Sequence, residues 1–138
     1  MSLLANIVTL ASVEAAVMKT SAIIAADLQT GEILYATPTA EKLFGYNVVG
    51  EMYGRQVEEL LPFRFREDHV FERSRYAADP NIRAPAVAKE VTGMRKDGTE
   101  IEVFVSLAAA VIEISLPKQD QRPCVVATIM CKKEFNWR

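Results

Sequence analysis

One histidine and two cysteines are the side chains in this 138-residue chain best suited to catalysis or metal binding. A nucleophile–histidine–acid arrangement would have to be built around His69 alone. Cys124 and Cys131 are seven residues apart. On a single strand they would lie about 23 Å apart on opposite faces, too far to bridge or to share a metal. The pair therefore indicates buried, unreactive thiols in a reducing compartment.

The acidic residues and glycines show no catalytic spacing either. Most acids fall in helix and turn segments, which is typical of a solvated face; examples are Glu58, Glu59, Glu67, Asp68 and Glu72. No glycine is followed by the Lys-Ser/Thr pair of a phosphate-binding loop. The formal net charge of −2 argues against the basic face of a nucleic-acid-binding domain. We expect a binding or signalling domain and not an enzyme.

A wide apolar stripe over residues 3–18 predicts an amphipathic helix at the start of the chain. The segment is too short and too polar for a membrane span, and no basic residue precedes it as in a signal peptide. Its apolar face would cover the domain's own sheet or pair with a second copy. The candidates for a dimer interface on this helix are Leu3, Leu4, Ile7, Val8 and Ala11.

The remaining elements predict one antiparallel sheet with helices on one face, an α+β domain. Thr37 should cap a short helix over 39–44, with Glu41 completing a capping box. Ahead of it lie strands over 21–26 and 32–36, joined by a turn. A charge-rich helix and three more strands follow, at 66–77, 87–95, 100–110 and 124–131, with a polar loop over 118–123.

Alternation in the strand over 100–110 separates its two faces. We expect Val103 and Val105 to face the helices and Glu102 and Phe104 to face away. Phe104 then becomes a further candidate for a dimer interface. The inward residues would line a ligand pocket or close a solid core, and alternation allows both. The pocket candidates, including two from the charge-rich central helix, are Val70, Tyr76, Ile101, Val103, Val105 and Leu107.

Several short motifs, in this order and spacing, resemble those of the PAS family of sensory domains. Each is weakly specific alone, but together they cover residues 21–131. The resembling segments are the first hairpin (Asp27–Ile33), a helix with its glycines (Ala40–Tyr46, Gly50 and Gly54), the start of the central helix (Leu60–Pro62 with His69) and a later hairpin (Thr92–Thr99).

The resemblance implies a PAS fold, in which a five-stranded antiparallel sheet and a central helix enclose a small pocket. It divides the chain into an N-terminal helix (1–20), a PAS domain (21–131) and a tail toward an output domain (132–138). It further implies a cytoplasmic, homodimeric input domain of a kinase, cyclase or DNA-binding regulator, which binds a small ligand and contacts neither nucleic acid nor membrane. A ligand-free dimerisation module and a haem-based gas sensor are the alternatives.

Within the family, residues 61–95 resemble the oxygen-sensing haem domains most. Their haem-ligating histidine matches Asn81 here, and an amide is a poor iron ligand. His69 is then expected to be a hydrogen-bonding residue of the central helix. The loop at 54–59 lacks the cysteine of the flavin-binding light-oxygen-voltage domains. We expect neither haem nor flavin. The acidic motif that often follows the last strand is also replaced, by Cys131-Lys132-Lys133.

Overall fold

The computed structural model describes residues 20–78, 89–114 and 120–132, with the side chains of 109–114 and 120–122 excluded. Five strands form one antiparallel sheet in the order β2-β1-β5-β4-β3. This confirms the predicted α+β fold with its five-stranded antiparallel sheet. The elements are β1 (Ala22–Asp27), β2 (Ile33–Ala36), α1 (Pro38–Leu43), a 3-10 helix (Val57–Leu60), α2 (Phe63–Ala78), β3 (Lys89–Met94), β4 (Glu100–Ile114) and β5 (Asp120–Cys131).

Strands β4 and β5 are longer than predicted. Their ladder runs from the pair Val103–Cys131 to the pair Ile114–Asp120, so part of the loop expected over 118–123 is strand. Sequence pattern hides this extension because Ala108 to Ile112 show no polar–apolar alternation and Pro123 lies within β5. Continuous antiparallel pairing satisfies the backbone groups of both strands, and this requirement overrides the weak local pattern.

Hydrogen bonds of the Thr37 side chain connect the start of α1 to the beginning of β1. The Thr37 hydroxyl oxygen accepts a hydrogen bond from the N–H of Ala40 at 3.3 Å, which confirms this residue as the N-cap. The same hydroxyl accepts from the N–H of Ile23 at 3.0 Å and donates to the carbonyl of Ser21 at 2.7 Å. One side chain thus sets both the start of α1 and its position beside β1.

The predicted capping box between Thr37 and Glu41 is wrong. Glu41 is buried, and its carboxylate accepts hydrogen bonds from the N–H groups of Gly50 at 2.9 Å and Met52 at 3.0 Å. Because the carboxylate already accepts hydrogen bonds from two backbone N–H groups of the following loop, it does not bond to the start of the helix. Glu41 therefore holds the connection that leads toward the 3-10 helix.

Helix α2 begins three residues earlier than predicted, at Phe63. Periodicity misses this first turn because Phe63 is 83% exposed and Phe65 is 41% exposed, so neither marks a buried stripe.

In the described part of the chain no helix is long and apolar enough to cross a membrane.

The core lies between the inner face of the sheet and the helical segments. Its largest fully buried side chains include Ile24, Ile33, Met52 and Val103. Val103 is 2% exposed, whereas Glu102 is exposed and accepts a hydrogen bond from the hydroxyl of Thr92 at 2.9 Å. The predicted orientation of β4 agrees with this burial pattern.

A charge placed on either face of β4 tests that orientation. Val103→Asp should lower the free energy of unfolding by about 3–5 kcal/mol, because an unpaired carboxylate would be buried in the core. Ser106→Asp is the matched control, since Ser106 is exposed on the outer face, and it should change stability by about 0.5 kcal/mol or less. Equal losses in a denaturant titration would contradict the orientation.

Candidate functional site

A cavity of about 560 Å³ lies between the inner face of the sheet and α2. Its sheet wall is apolar because alternate residues of β1, β4 and β5 point inward. All of these side chains are aliphatic, and several are small: Ile24, Ala26, Val103, Val105, Leu107, Val125, Ala127 and Ile129. Short side chains on the sheet leave unfilled volume beneath the helix.

The opposite wall, formed by α2, is mostly polar. Residues spaced three and four apart on one face of the helix border the cavity: Phe65, Asp68, His69, Glu72, Arg73 and Tyr76. At the side lie residues 89–93 of β3, among them the polar Lys89, Glu90 and Thr92. The cavity therefore presents hydrocarbon on β1, β4 and β5 and hydrogen-bonding groups on α2 and the edge strand β3.

Four of the six pocket candidates line this cavity, namely Tyr76, Val103, Val105 and Leu107. Val70 and Ile101 do not, so both need correction. Val70 follows His69 by one residue, which turns it about 100° away around the helix, and it is 40% exposed. Ile101 is buried in the core beside Gly93 and packs there without lining the cavity.

A buried ion pair anchors the polar wall. The guanidinium of Arg73 meets the carboxylate of Glu58 side by side, with Nη2–Oε1 at 3.1 Å and Nε–Oε2 at 3.2 Å. Both side chains are less than a tenth exposed. Two parallel charge-assisted hydrogen bonds set the relative position of α2 and the 3-10 helix. The expectation that Glu58 belongs to a solvated face is wrong.

Arg73 also reaches the turn between β1 and β2. Its Nη1 donates to the carbonyl of Leu28 at 3.2 Å and to that of Gln29 at 2.7 Å. Gly31 ends this turn with φ +78°, and a Cβ there would lie 2.8 Å from Glu58 Oε1 and 2.9 Å from Arg73 Cζ. A side chain at position 31 would therefore collide with the ion pair.

His69 joins the same cluster from the cavity side. Its Nδ1 lies 2.6 Å from Glu58 Oε2. Burial raises the pKa of the Glu58 carboxyl, but the hydrogen bonds from His69 and Arg73 outweigh it and hold this pKa below its ordinary value. The carboxylate thus stays ionised although it is buried.

The other predicted site residues lie elsewhere. The candidate dimer residues Leu3, Leu4, Ile7, Val8 and Ala11, together with Asn81, are outside the described residues. Phe104 is half-buried on β4, opposite Met130, which is 42% exposed. Cys124 is buried and Cys131 is half-buried, and both are free thiols.

Sequence reasoning misses the roles of Glu58 and Arg73. Fifteen residues separate them, and each lies among other charged residues, so no local pattern distinguishes the pair. The one available signal is Gly31, which the resemblance treats only as part of the first hairpin. A glycine at the end of a turn can indicate a position where another part of the chain packs too closely for a side chain. Here the left-handed backbone and the close contacts of Gly31 both exclude one.

Substitution of Gly31 tests the close approach of the turn to the ion pair. Gly31→Ala should lower the free energy of unfolding by about 3 kcal/mol or more, because strain at positive φ adds to a collision with Arg73 and Glu58. Gly98 has φ +90°, and a Cβ at that position would have nothing within 4 Å, so Gly98→Ala should cost only about 1–2 kcal/mol. Equal costs in urea titrations would contradict the close packing.

The ionisation of Glu58 predicts a pH dependence of stability. Because its folded-state pKa lies below 4.5, its stabilising effect is complete above that pH and is lost as the pH falls through the folded-state value. The stability advantage of the wild type over Glu58→Gln should therefore shrink below about pH 4.5. Unfolding titrations across this range measure the difference. An advantage that grows on acidification would contradict the assignment.

Comparison with known proteins supplies the family. A PAS domain family model matches residues 20–129. The sensor protein FixL of Bradyrhizobium diazoefficiens is 35% identical over 79 residues, which make up 56% of this chain and only 15% of that sensor.

Solved structures show the same fold at low identity. The PAS domain of a Desulfitobacterium hafniense protein matches with a TM-score of 0.61 at 17% identity, over 81% of this chain and 92% of that one. The PAS domain of the Cronobacter turicensis quorum-sensing receptor RpfR, in complex with C12:0, matches with a TM-score of 0.57 at 10% identity, over 82% and 94%. Since the family model also covers most of the sequence, the chain belongs to the PAS domain family.

Proposed function

We propose that this domain is the sensory input of a longer signalling protein and binds a small, mostly apolar molecule between the sheet and α2. The observation that carries the proposal is the cavity of about 560 Å³, which falls within the usual range for small-molecule sites, about 300–1,000 Å³. The solid core that alternation also allowed would place side chains in this volume. A ligand that fills this space removes its apolar wall from water, so binding should stabilise the fold.

The relatives support this proposal at the level of the family. FixL is a sensor protein, and the RpfR domain was solved with C12:0 and with BDSF. At 10% identity the likeness to RpfR is one of fold, and it supports only the idea that such a fold can hold a small ligand. The chemical class of the ligand for this chain has to come from its own cavity.

The position of β5 supports a path for the signal through this strand. This strand lines the cavity with Val125, Ala127 and Ile129 and ends at Cys131. Residues 132–138 would continue toward an output domain such as a kinase, cyclase or DNA-binding domain. Phe104 and the exposed Met130, opposite each other on the outer face, support a homodimer contact there. Ligand binding on one face of β5 would then alter the dimer contact on the other.

Haem is the weaker candidate for this cavity. Asp68 and Glu72 border the cavity beside His69 with charges that repel the propionates of a porphyrin, and the position that matches the family's haem-ligating histidine is Asn81. We expect the purified protein to be colourless and to bind neither haem nor flavin tightly. An absorbance spectrum after haem addition tests this expectation, and a sharp Soret band that disappears in His69→Ala would contradict it.

Filling the cavity tests the ligand proposal. The wild type should bind the neutral apolar dye Nile red, and native mass spectrometry should detect a retained small molecule after purification. Ala127→Phe places a ring in the cavity and should weaken dye binding by about tenfold or more.

Thr128→Phe is the matched control, because Thr128 is exposed on the other face of β5 and its substitution should leave dye affinity within about twofold. Equal affinity in both variants, with both folded by circular dichroism, would show that the cavity is not the binding site.

A further inference from the structure

Among the described residues, the His69 ring makes a hydrogen bond through one of its two nitrogens. Nδ1 lies 2.6 Å from the Glu58 carboxylate. Within the described part of the chain, no hydrogen-bonding partner lies against Nε2. His69 borders the cavity, so Nε2 is the nitrogen that remains for a bound molecule. The His69 side chain is 38% exposed, so Nε2 is accessible to a molecule in the cavity, where a few placed polar groups determine specificity.

The Glu58 carboxylate determines which hydrogen-bonding role Nε2 has. Arg73 donates two hydrogen bonds to this carboxylate and holds it in place. An ionised carboxylate only accepts, so in the neutral imidazole the proton must be on Nδ1. Nε2 then carries a lone pair and acts as a hydrogen-bond acceptor.

Two neighbouring carboxylates on α2 also act as acceptors. Asp68 and Glu72 also border the cavity, one residue before His69 and three residues after it. Carboxylates accept hydrogen bonds and repel anions, whereas the nearby guanidinium of Arg73 is engaged by Glu58 and two backbone carbonyls. The part of the helix wall around His69 thus offers acceptors above the aliphatic side chains of the sheet, and the donors that border the cavity lie further along, on Tyr76 and Lys89.

From this arrangement we infer that the ligand is a small apolar molecule carrying a hydroxyl or N–H group, whose proton is accepted by Nε2 of His69. Glu58 is the positioning residue, because it orients the ring and selects the tautomer. This inference rests on the proposed function and specifies it further: the sheet wall selects hydrocarbon, and His69 selects a donor.

A pair of near-isosteric ligands tests the inference. Para-butylphenol and para-butyltoluene differ only by a hydroxyl in place of a methyl group, and both are neutral at mildly alkaline pH. Calorimetric or NMR titration gives the ratio of their affinities for the wild type. His69→Phe keeps a ring but removes the acceptor, so it should shift this ratio toward butyltoluene by at least about fivefold. His69→Gln supplies an amide oxygen and should restore part of the preference.

The outcomes separate the two proposals. If both compounds bind but the ratio is the same in the wild type and His69→Phe, the role of His69 is overturned while ligand binding stands. If neither compound nor Nile red binds the folded wild type, the proposed function fails and this inference fails with it.

Nitrogen-15 NMR of the imidazole gives a readout that needs no ligand. At mildly alkaline pH the spectrum of the wild type should show the proton on Nδ1. In Glu58→Gln the side-chain amide can donate to Nδ1, so the proton should move to Nε2 in a measurable fraction of molecules. A wild-type spectrum with the proton on Nε2 would overturn the inference.

Discussion

The buried ion pair of Glu58 and Arg73 is the interaction on which the site depends. It joins three parts of the chain that are distant in sequence: the turn after β1, the 3-10 helix and the middle of α2. Burial of one partner alone would leave an uncompensated charge, at a cost of about 3–5 kcal/mol. The pair therefore forms as a unit, and where it forms it sets the distance and rotation of α2 relative to the sheet.

That constraint explains why the domain contains a cavity. On α2, His69 and Arg73 border the cavity and cannot pack against aliphatic side chains without partners, whereas Asp68 and Glu72 border it but remain exposed. Arg73 and His69 both bond to the carboxylate of Glu58, and these bonds hold α2 near one side of the sheet. Across the remaining space the sheet offers short side chains such as Ala26 and Ala127. The volume between a polar helix and a floor of small residues stays available to a ligand.

The parts of this structure that sequence predicts well are those governed by local rules. Thr37 is identifiable as an N-cap because its side chain bonds within its own turn, and Val103 is placed inward because strand periodicity is strict. The pairing of Glu58 with Arg73, the phase of α2 and the length of β4 depend on contacts between distant segments. The prediction for Val70 is wrong for this reason, because the stripe that faces the sheet passes through His69 and Arg73.

A double-mutant cycle on the ion pair tests the account most directly. Unfolding free energies of the wild type, Glu58→Gln, Arg73→Met and the double variant give the coupling between the two side chains. If the pair forms as a unit, the double variant should be more stable than additivity predicts by about 1–3 kcal/mol. Losses that add within about 0.3 kcal/mol would show that the two residues act independently and would contradict the account.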